Sequence, residues 1–162
     1  MPNYCSNHLV LSHEDSAKLQ EFCDAFNNNW TCHHFCPLPE FFDSGSTKEQ
    51  ILNRISVQID TWGTKWDFGE DDSDDQAEVK NNTVQVFFST AWSPPTGLYK
   101  KLEELGFQVN AAYYEPGEKL CGLFVEGYDH RIDYQDQSEI PLTIVELFNL
   151  EDLEDNNDTD NA

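Results

Sequence analysis

The charge of this chain is concentrated in two stretches, and that decides which part of it has to supply the fold. Residues 67–78 carry seven Asp and Glu and no base. Residues 126–162 carry twelve acids and a single base, Arg131. The two stretches hold 18 of the 22 net negative charges, and the other 113 residues carry only −4. A nearly neutral body thus bears two acidic appendages. Salt adaptation would instead spread acids evenly over the surface. At 162 residues the chain suits one domain with a tail. Folding at this size buries roughly 70% of the chain's surface, so neither disulfides nor a metal is required.

The net charge of −22 argues against direct binding to DNA or RNA, which needs a basic surface that releases counterions. It disfavours anionic membranes for the same reason and favours a basic partner or simple solubility. No apolar run approaches the roughly 18 residues of a membrane span. The start, Met1-Pro2-Asn3-Tyr4-Cys5, has neither a basic nor an apolar leader region, so the expected compartment is the cytoplasm. The five cysteines are irregularly spaced and odd in number. In a reducing compartment they are expected to be buried small hydrophobes, and no cofactor is expected.

Periodicity predicts a strand over 3–11. Ser12 and Asp15 then offer a capping box for a helix striped by Leu19, Phe22, Cys23 and Phe26. Residues 30–36 alternate and read as a second strand, stopped by Pro37 and Pro39. Thr47 and Gln50 pair as another capping box before the stripe Ile51, Leu52, Ile55 and Ile59. The acidic run reads as a loop. Residues 83–89 form a third strand. Ser93 and Pro94 read as N-cap and first turn of a helix bearing Leu98, Leu102 and Leu105, with Gly106 at its C-cap. Strands follow over 107–114 and 119–126, with a return over 130–134. Residues 142–150 fit helix or strand, and 151–162 read as a disordered tail. Strand, helix, strand, twice over, predicts an α+β fold of split βαβ type, with two helices on one face of an antiparallel sheet.

Three strings resemble one family: Met1-Pro2-Asn3-Tyr4-Cys5-Ser6-Asn7, Trp62-Gly63-Thr64-Lys65-Trp66-Asp67 and Thr90-Ala91-Trp92-Ser93-Pro94-Pro95. A weaker fourth is Tyr113-Tyr114-Glu115-Pro116-Gly117 with Gly122 after it. Together they resemble the YubB-type ferredoxin-like domain carried by phages, plasmids and other mobile elements, over residues 1–127. Tyr4 stands where that family usually has Trp. The resemblance implies a ferredoxin-like sandwich and supplies no catalytic residues. The expected organisation is such a domain over 1–140, with a helical insertion at 37–82 after the second strand and extra C-terminal strands. An acidic segment or tail at 141–162 completes it.

Three constellations carry possible chemistry. On a strand, Cys32, His34 and Cys36 would share a face beside Cys5 and His8. Structural zinc sites use tight turns that this run lacks, so half-buried cysteines and an exposed histidine are the expectation. The run 67–78 lacks the glycine and terminal glutamate of a calcium loop. Trp62, Trp66 and Trp92, with Lys65, could floor a groove or anchor a protein. The plainer alternative is that they pin the insertion to the sheet, with Lys65 and Asp67 as a local ion pair. No P-loop, nucleophile elbow or zinc-protease motif occurs.

The resulting expectation is a binding or inhibitor protein, not an enzyme. It would present a DNA-mimic-like negative surface to a basic nucleic-acid-binding host protein, as a phage-type anti-defence or regulatory factor. The candidate residues are Glu70, Asp71, Asp72, Asp74 and Asp75, with Glu151, Asp152, Glu154 and Asp155. The alternative is a small-molecule pocket or unrecognised enzyme centred on Trp62, Lys65, Trp66, Trp92, Tyr114 and Glu115.

Overall fold

The computed structural model of the chain describes residues 3–39, 47–69 and 76–153. Its centre is β1 (Tyr4–Ser12), in which Cys5, Asn7, Leu9 and Leu11 are buried and the residues between them are not. That period of two gives the strand one inward face. β1 pairs antiparallel with β2 (Thr83–Ala91) on one side and with β3 (Gln108–Glu115) on the other. β4 (Leu120–Val125) and β5 (Tyr128–Asp133) continue as an antiparallel meander. The chain is therefore an α+β protein with a five-stranded antiparallel sheet of order β2-β1-β3-β4-β5.

Three helices lie between β1 and β2: α1 (Ser16–Asn27), α2 (Thr31–Phe35) and α3 (Lys48–Trp62). α1 buries Leu19, Phe22, Cys23 and Phe26, the predicted stripe. Its cap is Asp15, whose side chain accepts from the Ala17 N–H, and not Ser12. Ser12 is held in the sheet between Thr83 and Gln108, so the helix cannot begin there. α3 starts on the predicted Thr47–Gln50 capping box and ends on Gly63 in the left-handed region at φ 87°. A side chain at Gly63 would meet the backbone of Thr96 and Pro94. Ile51 and Leu52 remain exposed, and α3 is seated through Trp62 at its end.

The predicted second strand over 30–36 is instead α2. Its alternation is real, but the Asp67 carboxylate, 35 residues away, accepts the backbone N–H groups of Cys32 and His33 at 2.7 and 3.0 Å. Those are orphan donors of a helix's first turn. Trp62 Nε1 donates to the Cys36 carbonyl at the other end, at 2.8 Å. One split βαβ unit remains instead of two. β2 and β3 are both antiparallel to β1, and α4 (Thr96–Glu104) connects them across it.

α4 begins two residues later than the Ser93–Pro94 signal predicts, because the Ser93 hydroxyl donates to the Gly63 carbonyl instead of capping. Leu98 and Leu102 are buried while Leu105 is exposed, and Gly106 follows it at φ 91° in the expected helix-ending role. On this first face of the sheet, Phe68 stacks on Phe88 with ring centres 4.0 Å apart. Phe26 stands edge-on to both.

The second face is also covered, which corrects the expectation of helices on one side only. Residues 142–150 resolve as α5 (Leu142–Leu147) and a turn, flanked by 3-10 turns at Gln137–Glu139 and Leu150–Leu153. Ile140, Ile144 and Tyr134 pack there on Tyr114 and Cys121. Among the described residues no helix is long and apolar enough to cross a membrane.

All five cysteines are free and buried. Burial pushes the Cys5 thiol up to about 12 and those of Cys23 and Cys36 up to about 11. A raised pKa means that the folded state holds its protons where the unfolded chain has lost them. Stability is therefore expected to be level below the ordinary thiol value of 9.0 and to fall as pH rises from there toward 11 and 12. Guanidinium unfolding midpoints across that range check this. Replacing Phe68 by Ala is expected to cost about 3–5 kcal/mol in the same assay, because it empties the centre of the aromatic cluster.

Candidate functional site

Residues 62–67 cross from the end of α3 to the start of α2, and their side chains separate sharply in role. Trp62 is fully buried, edge-on to His33 with centres 4.6 Å apart. Asp67 turns inward. Besides Cys32 and His33, its carboxylate accepts the Phe68 N–H at 2.8 Å and lies 2.8 Å from His33 Nδ1. Nδ1 next to a carboxylate carries the proton, which fixes the ring's orientation and tautomer. Trp30 stacks on that imidazole, with centres 4.0 Å apart and planes 14° apart.

Lys65 does not pair with Asp67, contrary to the local ion pair expected from their spacing. Its ammonium lies over two indoles, 5.1 Å from the centre of Trp66 and 4.5 Å from that of Trp92. The four acceptor contacts of Asp67 are committed to α2 and the Phe68 N–H, which leaves Lys65 to the aromatic faces. Trp92 adopts φ 73°, unusual for a bulky residue. Its N–H donates to the Asn3 carbonyl at 2.8 Å, and its indole remains 39% exposed.

The structure thus brings together Lys65, Trp66 and Trp92 from the candidate pocket, while Trp62 is buried against His33 and the other two members lie elsewhere. Tyr114 lies on the second face, stacked with Tyr134 and Phe148. Glu115 is fully buried, its carboxylate accepting the N–H groups of Gly117 and Glu118 at 2.7 Å. It builds the β3–β4 turn. In their place stand residues that periodicity did not single out. Trp30, His33 and Arg54 line one open groove with Lys65 and Trp66, walled by residues 37–39 and one side of α3. Its volume is about 770 Å³. Reading 30–36 as a strand concealed it, since the groove exists only if that segment is helical.

Of the nine carboxylates proposed for partner binding, Glu151 is exposed and Asp152 lies in the closing 3-10 turn. Glu70, Asp71, Asp72, Asp74, Asp75, Glu154 and Asp155 lie outside the described residues. The flanks of the two acidic segments are placed. Gly69 is pressed against the Phe26 carbonyl and Asn29, and Ala77 exchanges hydrogen bonds with the Asn27 side chain. Both sit at the C-terminal end of α1, on the first face. Glu151 lies beside Tyr114 and Gln137 on the second face. These flanks are on opposite sides of the sheet, which removes support from a single surface shared by the two segments.

A second acidic region is described in full. Glu126, Asp129, Asp133, Asp136, Glu139, Glu146 and Glu151 are all exposed, along β5 and the chain that crosses the second face. Arg131 is the one base between them, and Asp133 holds it at 2.7 Å. That hydrogen-bonded pairing lowers the Asp133 carboxyl and raises the guanidinium. Composition pointed to this region through the count over 126–162, although the candidates chosen from it lay only at its end. Cys32 and Cys36 are buried in or beside α2, while His34 bonds Glu21 at 2.8 Å. Among the described residues no three His, Cys, Asp or Glu side chains are grouped to hold a metal ion.

Asp67→Ala is expected to destabilise the fold by about 3 kcal/mol, since it strands several buried N–H groups. Lys65→Met is expected to cost less than about 1 kcal/mol, the range of an exposed cation–π contact. A double-mutant cycle on the two positions, read by chemical denaturation, is expected to return a coupling near zero.

Comparison with family models, with curated proteins and with solved structures finds no match for this chain.

Proposed function

We propose that this chain is a binding protein and not an enzyme, and that it acts by presenting an acidic surface around the β5 edge to a basic, nucleic-acid-binding protein. The observation that carries this reading is the run of seven exposed carboxylates from Glu126 to Glu151, with a single base that is already paired. Carboxylates without counter-cations leave a local negative field that raises the concentration and encounter rate of a positively charged partner. A surface that binds the phosphate backbone is such a partner, because it is built from Lys and Arg. Asp129 and Asp133 project on the Phe124 and Leu120 side of β5 and the chain carrying Glu139 and Glu146 lies on the other side, so these carboxylates flank the β5 edge of the sheet and take the place of phosphates there.

The resemblance of the Met1–Asn7, Trp62–Asp67 and Thr90–Pro95 strings to the YubB-type family supports the rest of the reading. It makes the protein a mobile-element product acting in the host cytoplasm, with an anti-defence or regulatory role. The fold is then a ferredoxin-like variant. β1, β2, α4 and β3 supply the shared sheet, α2 replaces the remaining strand, and β4 and β5 extend the opposite edge.

The test passes host lysate over the immobilised full chain. DNA-binding proteins are expected to be retained at about 50 mM salt and released at about 300 mM, or by added duplex DNA. Glu126→Gln, Glu146→Gln and Glu151→Gln together are expected to weaken retention about tenfold, without loss of stability. Retention indifferent to salt, to DNA and to these substitutions overturns the proposal.

A further inference from the structure

We propose a separate ligand site in the groove between α2, residues 37–39 and α3. It takes a mononucleotide, a planar base carrying one phosphate group, with the base on the Trp30 and Trp66 indoles and the phosphate on Arg54 and Lys65. The site is independent of the acidic surface and stands or falls without it.

Charge is the first reason. The chain has 31 acids and nine Lys and Arg, and four of the nine are ion-paired among the described residues. Lys18, Lys80, Lys101 and Arg131 are ion-paired to Glu21, Glu78, Glu104 and Asp133. Lys48, Arg54, Lys65, Lys100 and Lys119 form no ion pair among the described residues, and two of these five, Arg54 and Lys65, line the groove. The nearest candidate in sequence to neutralise Lys65, Asp67, is spent on the backbone of α2 and on His33. Two cations without an ion pair among the described residues thus line one groove of an acidic protein.

Aromatic exposure is the second reason. Trp30 is 54% exposed and Trp66 is 37% exposed, although both are large enough to be worth burying. Neither is loose. Trp30 rests on His33, which is backed by Trp62 and oriented by Asp67. That stack is a platform set before any ligand arrives, so stacking on it costs little reordering. An exposed indole on a rigid support binds any planar base through its face. A cation beside it binds phosphate.

Size and field set the class. About 770 Å³ falls in the range of small-molecule sites. It exceeds what a bare phosphate needs. A polynucleotide requires a track of cations along its backbone. This chain offers two cations here and a net charge of −22 around them, so a single nucleotide fits and a strand does not.

Titration of the full chain with AMP, adenosine and inorganic phosphate, followed by tryptophan fluorescence and calorimetry, tests this. AMP is expected to saturate below about 1 mM, with adenosine and phosphate each at least about tenfold weaker. Arg54→Gln is expected to bring AMP down toward adenosine and to leave adenosine unchanged. Trp30→Ala is expected to weaken both. Lys65→Gln serves as a second phosphate variant, and circular dichroism confirms that each variant is folded. Absence of saturation by AMP, GMP, CMP and UMP at about 5 mM overturns the proposal. So does AMP binding that survives the three substitutions unchanged.

Discussion

The Asp67 carboxylate is the interaction on which the shape of this protein turns. It accepts backbone N–H groups from Cys32, His33 and Phe68 and lies against the His33 ring nitrogen. Bonds from N–H groups to an ionised acceptor are among the stronger ones in a fold, because the charge is delocalised over several donors. Here they supply the helix start that α2 lacks locally, since Trp30 at its N-cap makes no side-chain capping bond. A segment that alternates like a strand becomes a helix, and the sheet loses a member. The same contacts hold His33 against Trp30 and Trp62 and leave Lys65 without its sequence neighbour. One side chain thus sets the topology on one side and the character of the groove on the other.

The two faces of the sheet then divide the chemistry. The first face holds the aromatic core and carries α1, α2 and α4, with the groove at the far side of α2. The second face is covered by the chain's own C-terminal part, whose apolar residues Ile140 and Ile144 go down onto Tyr114 and Cys121 while its acids stay out. This explains how so acidic a stretch is folded at all. Its carboxylates are exposed where water screens their repulsion, and a few apolar anchors bear the packing.

Much of this was legible in the order of residues. The period-two pattern of β1, the α1 stripe, the Thr47–Gln50 box and Gly106 after α4 are local signals, and each acts through neighbours within a few positions. Errors arose where a distant partner competed for a local signal. Ser12 is drawn into the sheet by Thr83 and Gln108, and Ser93 is taken by Gly63. Of the candidate pocket residues, Lys65, Trp66 and Trp92 lie together, and two short strings carry them. Tyr114 and Glu115 were misplaced because neighbours on a strand point to opposite faces. Trp30 and Arg54 were missed because nothing near them in sequence marks them.

By itself, then, the sequence determined that a nearly neutral body would carry the fold and that the described acids of 126–151 would lie on its outside, while Asp67 and Glu115 are drawn in by backbone N–H groups. Desolvating charge is costly wherever it sits, so composition by position is enough to decide that. The cysteines went inside for the converse reason, as small apolar groups. Only the tertiary structure decided that residues 31–35 are a helix, that the C-terminal segment covers the second face, and that two cations and two half-exposed indoles share one groove. Each of those outcomes depends on contacts between residues dozens of positions apart, and such contacts leave no periodicity in the chain.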